Sequence, residues 1–563
     1  MAQGSKEPEL SRLDRGWMEL RNGRWEAARE CFEQAVTARE TPETPEAFEG
    51  LSWAAWWLDD AEGVFAARER AFRLYETLGD VAAAARLATW LASDQLDFHG
   101  APAVAAGWLA RARRLLEPLE PGPEHGWLAV IEGYIAHQGG DARRAVERGR
   151  SSAELGRRFA EPDLEMLGLA LEGAALVAET EVQQGMRCLD EATAIALQGE
   201  ARVPIAGAWA CCFLVTACTA VRDYERASEW CDRIAEFAER YGSRYMLAFC
   251  RAEYGAVHLW RGQWHDAETM LEASIEDFAT SRPAMIGGSL VGLAELRRRQ
   301  GRTEEAADLL ERAGPSSAAQ LCHARLALDR GDAARAVELV ERSLRQVPAD
   351  RRLDRFPRLE LLVRVRTARG ELERASAALD AMREIEGAVD TEALRASVEL
   401  AEGLLAAAGG DHDRARPLLE DATDRFERSG AAFEAAQARI DLTTTLVAQG
   451  RTDVAEDEVG KALEQLLELG AQPEAERARR LQAGVAGSED DEHPLPELTP
   501  REREVLSNLT RGLTNRQIAE RLVVSEHTVH RHVTNLLRKL ELPSRTAAAA
   551  LAVRLGLLDE PHE

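Results

Sequence analysis

Lysine is nearly absent from this chain. Of 563 residues only Lys6, Lys461 and Lys539 are lysine, and arginine supplies the other 67 basic residues. We read the imbalance as compositional, and it bears on nucleotide binding. A phosphate-binding loop of the Gly-x4-Gly-Lys-Ser/Thr type needs its lysine to neutralise phosphate and its hydroxyl to ligate magnesium. Gly460-Lys461 is followed by Ala462, and Ala455 stands where the first glycine belongs, so no such loop exists. Long apolar runs are missing too. No stretch reaches the roughly eighteen residues that a membrane-spanning helix needs. The opening residues, Met1 to Lys6, lack the apolar core of a signal peptide. Eight cysteines without framework spacing point to reduced thiols and a cytoplasmic setting. His-Glu-x-x-His, Gly-x-Ser-x-Gly and Cys-x-x-Cys patterns are all absent. The chain is therefore expected to be no enzyme, to carry no metal or cofactor, and to associate with no membrane.

Five of the cysteines do cluster, at Cys211, Cys212, Cys218, Cys231 and Cys250. Free cysteine is among the most buried residue types, so small core positions in packed helices are the favoured reading over a redox or metal sensor. Scattered histidines such as His258, His265 and His412 are read as structural.

Negative charge dominates, and its distribution matters more than its sum. The net formal charge is −27, yet residues 494 to 556 hold ten basic and six acidic residues, a local +4. Residues 1 to 493 hold 60 basic and 88 acidic residues, or −28. Only the C-terminal segment can favour phosphate.

Across most of the chain one pattern returns. A glycine closes one amphipathic segment, and small and large apolar residues follow at helical spacing. The copies include Gly23, Trp25, Ala28, Phe32, Ala35; Gly262, Trp264, Ala267, Leu271; Gly301, Thr303, Ala306, Leu310; Gly331, Ala333, Ala336, Val340; Gly370, Leu372, Ala375, Leu379; Gly410, His412, Ala415, Leu419; and Gly450, Thr452, Ala455, Val459. Copies at Gly100 and Gly140 fit with minor losses, and copies near Asp59, Thr180 and Arg222 lack the glycine. Spacings of three and four put these residues on one helical stripe. Glycine permits the left-handed turn that ends the first helix. Each unit is then a helical hairpin that cannot bury its face alone, so units must stack.

The pattern resembles the tetratricopeptide repeat over residues 8 to 482, as about twelve units. The resemblance implies an all-α solenoid with a concave surface suited to a protein, peptide or small-molecule effector. A plain scaffold that only spaces or dimerises the C-terminal end is the bland alternative. Pro417 falls inside the second helix of its unit, which predicts a kink or a late helix start there.

Residues 483 to 497, rich in Gly, Ser, Pro and acids, break the periodicity and read as an acidic flexible linker. A helix then opens with Thr499 as N-cap, Pro500 at the first helical position and Glu502 completing a capping box. Val505, Leu506 and Leu509 form its apolar stripe and Gly512 stops it. Thr514 caps a second helix, with Gln517 three residues on and Ile518, Ala519 and Leu522 facing inward. Ser525 caps a third. Its inner face is Val529, Val533, Leu536 and Leu540; its outer stripe is His527, Arg531, Thr534 and Arg538, with His530 beside it. A polar, basic outer stripe is what a helix in the major groove needs: donors for base edges and cations for phosphate. A fourth helix is expected from Ser544 to about Gly556.

Four blocks occur in order: Leu498-Thr499-Pro500-Arg501-Glu502, then Gly512 to Ala519, then Ser525-Glu526-His527-Thr528-Val529, then Leu537-Arg538-Lys539-Leu540. They are similar to the LuxR-type (NarL/FixJ) helix-turn-helix domain over residues 498 to 558, so that the whole chain is expected to be all-α: the solenoid, then a four-helix DNA-binding domain. The resemblance implies a transcriptional regulator that binds double-stranded DNA as a homodimer. Base contacts would fall to His530, Arg531 and Thr534. Phosphate contacts would fall to Arg516, Thr528, Arg538, Lys539 and Arg545. The dimer contact would involve Ala547, Leu551 and Leu555. Glu541 stands where the family usually has glycine, a departure at the cap of the third helix. No alternating strand-helix segment suggests a phosphoacceptor receiver domain. The rival class is a repeat scaffold or sequestering protein whose C-terminal domain no longer binds DNA; intact caps, core and basic outer face favour the regulator.

Overall fold

A computed structural model describes residues 11–37, 44–197, 204–241, 244–490 and 498–539, together with Arg545 and Ala548. Among these residues there are 28 α-helices, one short 3-10 turn and no strand. The chain divides into two compact units, Met1–Leu481 and Gln482–Glu563.

The first unit is a run of twelve antiparallel helix pairs, from Arg12–Arg21 with Trp25–Thr37 to Ala432–Ala448 with Thr452–Leu469. The repeated sequence pattern maps onto the turn inside each pair. Second helices begin at Trp25, Trp264, Thr303, Ala333, Leu372, His412 and Thr452, each two residues after its glycine. The small residue three further on, among them Ala28, Ala267, Ala306, Ala336, Ala375, Ala415 and Ala455, is fully buried where the partner helix comes close. The glycines adopt the left-handed conformation, for example φ +73° at Gly450. The three copies without glycine keep the same backbone: φ is +58° at Asp59, +69° at Thr180 and +58° at Arg222.

Gly450 isolates the backbone effect, because a Cβ there would meet no atom within 4 Å. Gly450→Ala should therefore destabilise the array by about 1–2 kcal/mol through the left-handed strain alone. Gly460 lies inside the helix Thr452–Leu469, also with nothing within 4 Å of an added Cβ. Gly460→Ala should instead stabilise by up to about 1 kcal/mol. Urea unfolding of both variants followed by circular dichroism checks the pair; equal shifts would refute the argument.

The late start expected at Pro417 does not occur. The helix His412–Arg428 begins at once, because the Asp411 side chain accepts from the Arg414 amide, and Pro417 sits inside it. The last helix of the array also runs further than its composition suggests. Gln472–Asp490 is continuous, so the first eight residues of the segment read as linker are helical.

The array coils back on itself, and distant pairs touch. Arg282 reaches Asp59 Oδ1 at 2.7 Å, Arg351 donates to the Gln138 carbonyl at 2.8 Å, and Arg222 pairs with Glu360 at 2.8 Å. Trp260 Nε1 donates to the Ser429 carbonyl at 3.1 Å. Cavities remain inside this coil. Cys211, Cys218 and Cys250 are buried among apolar neighbours, and burial pushes each thiol up to about 12, which keeps it protonated. Among the described residues no group of three His, Cys, Asp or Glu side chains is arranged to hold a metal ion, and no helix is long and apolar enough to cross a membrane.

Candidate nucleic-acid interface

Three helices of the second unit are described: Pro500–Thr510, Asn515–Leu522 and Glu526–Lys539. Each starts on the cap its sequence predicts. Thr499 Oγ1 accepts from the Glu502 amide at 3.3 Å while the Glu502 carboxylate accepts from the Thr499 amide at 2.9 Å. Thr514 and Gln517 repeat the arrangement at 3.3 and 2.8 Å. Ser525 Oγ accepts from the Thr528 amide at 3.1 Å. Each cap satisfies amides that have no partner within the helix.

One apolar cluster holds the helices together: Leu498, Val505, Leu506, Leu509, Ile518, Ala519, Val529, Val533, Leu536 and Ala548 are buried, with Leu522 packed against them. The turn between the second and third helices carries Val523 in the left-handed region at φ +52°, with its side chain 89% exposed. Glycine or asparagine would suit that backbone better.

Burying Val529, Val533 and Leu536 rotates the third helix so that His527, His530, Arg531, Thr534 and Arg538 face outward, and all five are exposed. Thr534 Oγ1 donates to the His530 carbonyl at 2.9 Å, which leaves its lone pairs as acceptors. Arg538 contacts Asn535 at 3.5 Å. The domain's acids are largely committed: Glu504 to Arg501 at 2.6 Å, Glu520 to Arg516 at 3.3 Å and Glu502 to Lys539 at 3.0 Å. Among the described residues Arg511, Arg521, Arg531 and Arg538 have no carboxylate partner. Exposed cations left unneutralised are the electrostatic condition for binding a phosphate backbone.

The structure also gives some of the candidate phosphate contacts a second task. Lys539 Nζ ties the end of the third helix to Glu502 at the start of the first. That carboxyl is held below the usual range by the Thr499 amide and then by Lys539. Arg545 donates to the Leu513 carbonyl at 2.6 Å. Thr528 Oγ1 lies 2.7 Å from Ser525 Oγ, within the cap. Arg516 stays 79% exposed. Arg501, which the sequence did not single out, donates to the Leu522 carbonyl at 2.8 Å and satisfies the end of the second helix. No spacing signal marks such a contact, because it joins two helices across a turn. Ala547, Leu551 and Leu555, the candidate dimer contacts, and Glu541 lie outside the described residues.

Residues 496–552 match the model of the bacterial regulatory proteins of the luxR family. The C-terminal unit carries a LuxR-type helix-turn-helix domain. Residues 13–63 and 257–319 match a tetratricopeptide repeat model, so the first unit carries tetratricopeptide repeats. The DNA-binding transcriptional activator DevR/DosR of Mycobacterium tuberculosis is 44% identical over 78 residues, 14% of this chain and 36% of that one. The nitrate/nitrite response regulator protein NarP of Escherichia coli is 52% identical over 65 residues, 12% of this chain and 29% of that one. Rv0890c of Mycobacterium tuberculosis, named for the HTH-type transcriptional regulators, is 29% identical over 331 residues, 56% of this chain and 34% of that one. The chain thus spans about a third of the length of these relatives.

Proposed function

We propose that the protein is a transcriptional regulator. Its LuxR-type domain reads operator DNA in the major groove as a homodimer, and its repeat array binds an effector that modulates this activity. The observation that carries the reading is the third helix: a buried apolar stripe on one side and, opposite it, an exposed stripe of His530, Arg531, Thr534 and Arg538 without acidic partners among the described residues. In this reading His530, Arg531 and Thr534 contact bases. Arg516, Thr528, Arg538, Lys539 and Arg545 contact phosphate, and Ala547, Leu551 and Leu555 bring two domains together on half-sites about one helical turn apart. The protein performs no catalysis and works in the cytoplasm.

Genome-wide mapping of bound sites, followed by binding to the recovered operator, tests the proposal. Arg531→Ala should cost about 1–3 kcal/mol on that operator and relax the base preference at one position per half-site. Arg538→Ala should weaken all sequences alike and lower the salt slope by about one unit per lost phosphate contact. A binding series on single-base operator variants at two salt concentrations separates the two. Uniform loss in Arg531→Ala, with every base preference intact, would mean that the helix presents a different stripe to the groove. A full chain that recovers no sites and binds no DNA would instead make the protein a repeat scaffold.

A further inference from the structure

Two chambers lie inside the coiled array, and they adjoin. The larger has a volume of about 740 Å³ and the smaller about 270 Å³. Ala220, Leu353 and Asp354 line both. Together they are of the size that encloses a small molecule.

The smaller chamber is walled by aromatic rings: Tyr134, Trp209, Phe213, Tyr245 and Phe249. Its polar groups carry little charge. Burial first, and Arg351 second, pull the nearby His137 down to about 4, so it is neutral, and burial holds Cys212 as a thiol. Asp354 at the junction is paired with Arg351 at 3.2 Å. A cage for a cation needs free ring faces. Here Tyr134 and Trp209 are stacked on each other at 5.6 Å and 23°, and Phe213 meets Tyr134 edge-on at 6.2 Å. What remains suits a flat, uncharged ring system.

The larger chamber differs in kind. Arg358 lies one helical turn beyond Asp354 on the helix Arg352–Ala368 and is only 5% exposed. Its Nε donates to Ser343 Oγ at 2.9 Å and another nitrogen donates to the Asp354 carbonyl. No carboxylate among the described residues lies within ion-pair distance of it. Arg325, on the same wall, has Glu295 at 3.5 Å as its carboxylate, and Glu295 already holds Arg298 at 2.9 Å and Arg299 at 3.0 Å. A buried guanidinium without its own counter-ion is costly, and an incoming anion relieves that cost.

We infer that the paired chambers are a binding site for a small aromatic carboxylate, its ring system among the aromatic walls of the smaller chamber and its carboxylate directed past the Leu353–Asp354 junction toward Arg358 and Arg325. The inference rests on the reading of the array as the effector-binding part of the protein and gives that effector a chemical class.

Calorimetric titration of the full chain tests it, with benzoate, indole-3-acetate and 2-naphthoate as probes, and with naphthalene-2-methanol and 2-naphthylmethylammonium as neutral and cationic controls. At least one carboxylate should bind at one per chain, tenfold or more tighter than its neutral or cationic counterpart. Thr216 lines the smaller chamber from an exposed position. Thr216→Trp fills the space and should weaken the carboxylate tenfold or more. Arg358→Gln should weaken the carboxylate but not the neutral control. If that variant melts early, Arg325→Gln at its more exposed position takes its place. No binding by any carboxylate, equal binding of the neutral or cationic control, or full affinity in Thr216→Trp would each overturn the inference. DNA affinity measured with and without the bound carboxylate separates the two levels. Binding without any change in DNA affinity keeps the site and removes its regulatory role. Failure of the site leaves the effector reading to a macromolecular partner on the array, seen as altered DNA binding when the array is removed.

Discussion

Replacing Arg282 by alanine is expected to destabilise the repeat array by about 3–5 kcal/mol, the cost of leaving a buried ionic partner uncompensated. The Arg282 side chain is wholly buried. It donates to Asp59 Oδ1 at 2.7 Å and to the Ser281 carbonyl at 2.7 Å, and it reaches the Trp56 carbonyl at 3.4 Å. Its guanidinium lies 3.8 Å from the Phe98 ring centre, 4.6 Å from Trp56 and 5.1 Å from Tyr245. These partners come from three separate helix pairs, so one side chain closes a turn of the coil. Alanine would leave a cavity among the rings and a carboxylate without its counter-charge. The loss should depend on pH. Burial pushes Asp94 up to about 6 and Asp97 up to about 7; Arg68 and then Arg282 oppose the first shift, and Arg282 is the main group opposing the second. Both folded values lie above the ordinary one of 3.8, so these groups favour the folded state most in acid, and that contribution is lost as pH rises through 6 and 7. Without Arg282 both carboxyls rise further, and Asp59 loses its partner as well. The variant should be harmed most at pH 8 and least near pH 5. His137, held at about 4, titrates in the opposite sense in both proteins and cancels in the difference. Urea unfolding at the two pH values, in a cycle with Asp59→Asn, measures this. A penalty that is the same at both, or additive single losses, would show that the ion pair is not what Arg282 contributes.

Much of the array is visible in the sequence because its rule is local. A turn residue, a helix start two positions later and a small buried residue three beyond that fall within one short window. The Gly301, Gly370 and Gly450 copies show the same register in sequence and structure. The copies at Asp59, Thr180 and Arg222 show that the fold demands the left-handed backbone rather than the glycine. The packed hairpin imposes a conformation that the residue itself disfavours. What closes the coil is not local. Asp59 and Arg282 are 223 positions apart, and nothing in a forty-residue period encodes how many units make a turn. Composition also misled at the end of the array. Gly484, Gly487 and Ser488 look like linker residues, yet the helix continues to Asp490 and Val485 is buried. Adding residues to an existing helix costs little, so a few poor helix formers do not end it. In the DNA-binding unit the caps and the inner stripe were legible because each follows from spacing along one helix. The ties from Lys539 to Glu502 and from Arg501 to Leu522 were not, because they depend on how helices cross.

Val533→Asp should unfold the C-terminal unit and abolish DNA binding while sparing the repeat array. Val533 is 7% exposed and belongs to a cluster made only of residues from the described part of this unit, Leu498 to Ala548. It lies four residues after Val529 and three before Leu536, on the single stripe that joins the third helix to the other two. An ionised carboxylate there gains no cation from Arg531 or Arg538, which are exposed while Val533 is buried. Burying it unpaired costs several kcal/mol, and so small a unit has little stability in reserve. Val533→Ile adds one methylene and keeps the stripe apolar, so it should cost at most about 1–3 kcal/mol and leave the unit folded. The measurement is calorimetric unfolding of the full chain beside DNA binding. Wild type and Val533→Ile should show the transition of the small unit, and Val533→Asp should lose it and keep that of the array. Arg531→Ala makes the contrast, since it should lose specific binding with both transitions intact. If Val533→Asp keeps the small transition and binds DNA normally, Val533 does not face the core. The third helix would then have to be rotated, and the outward stripe of His530, Arg531 and Thr534 would move with it.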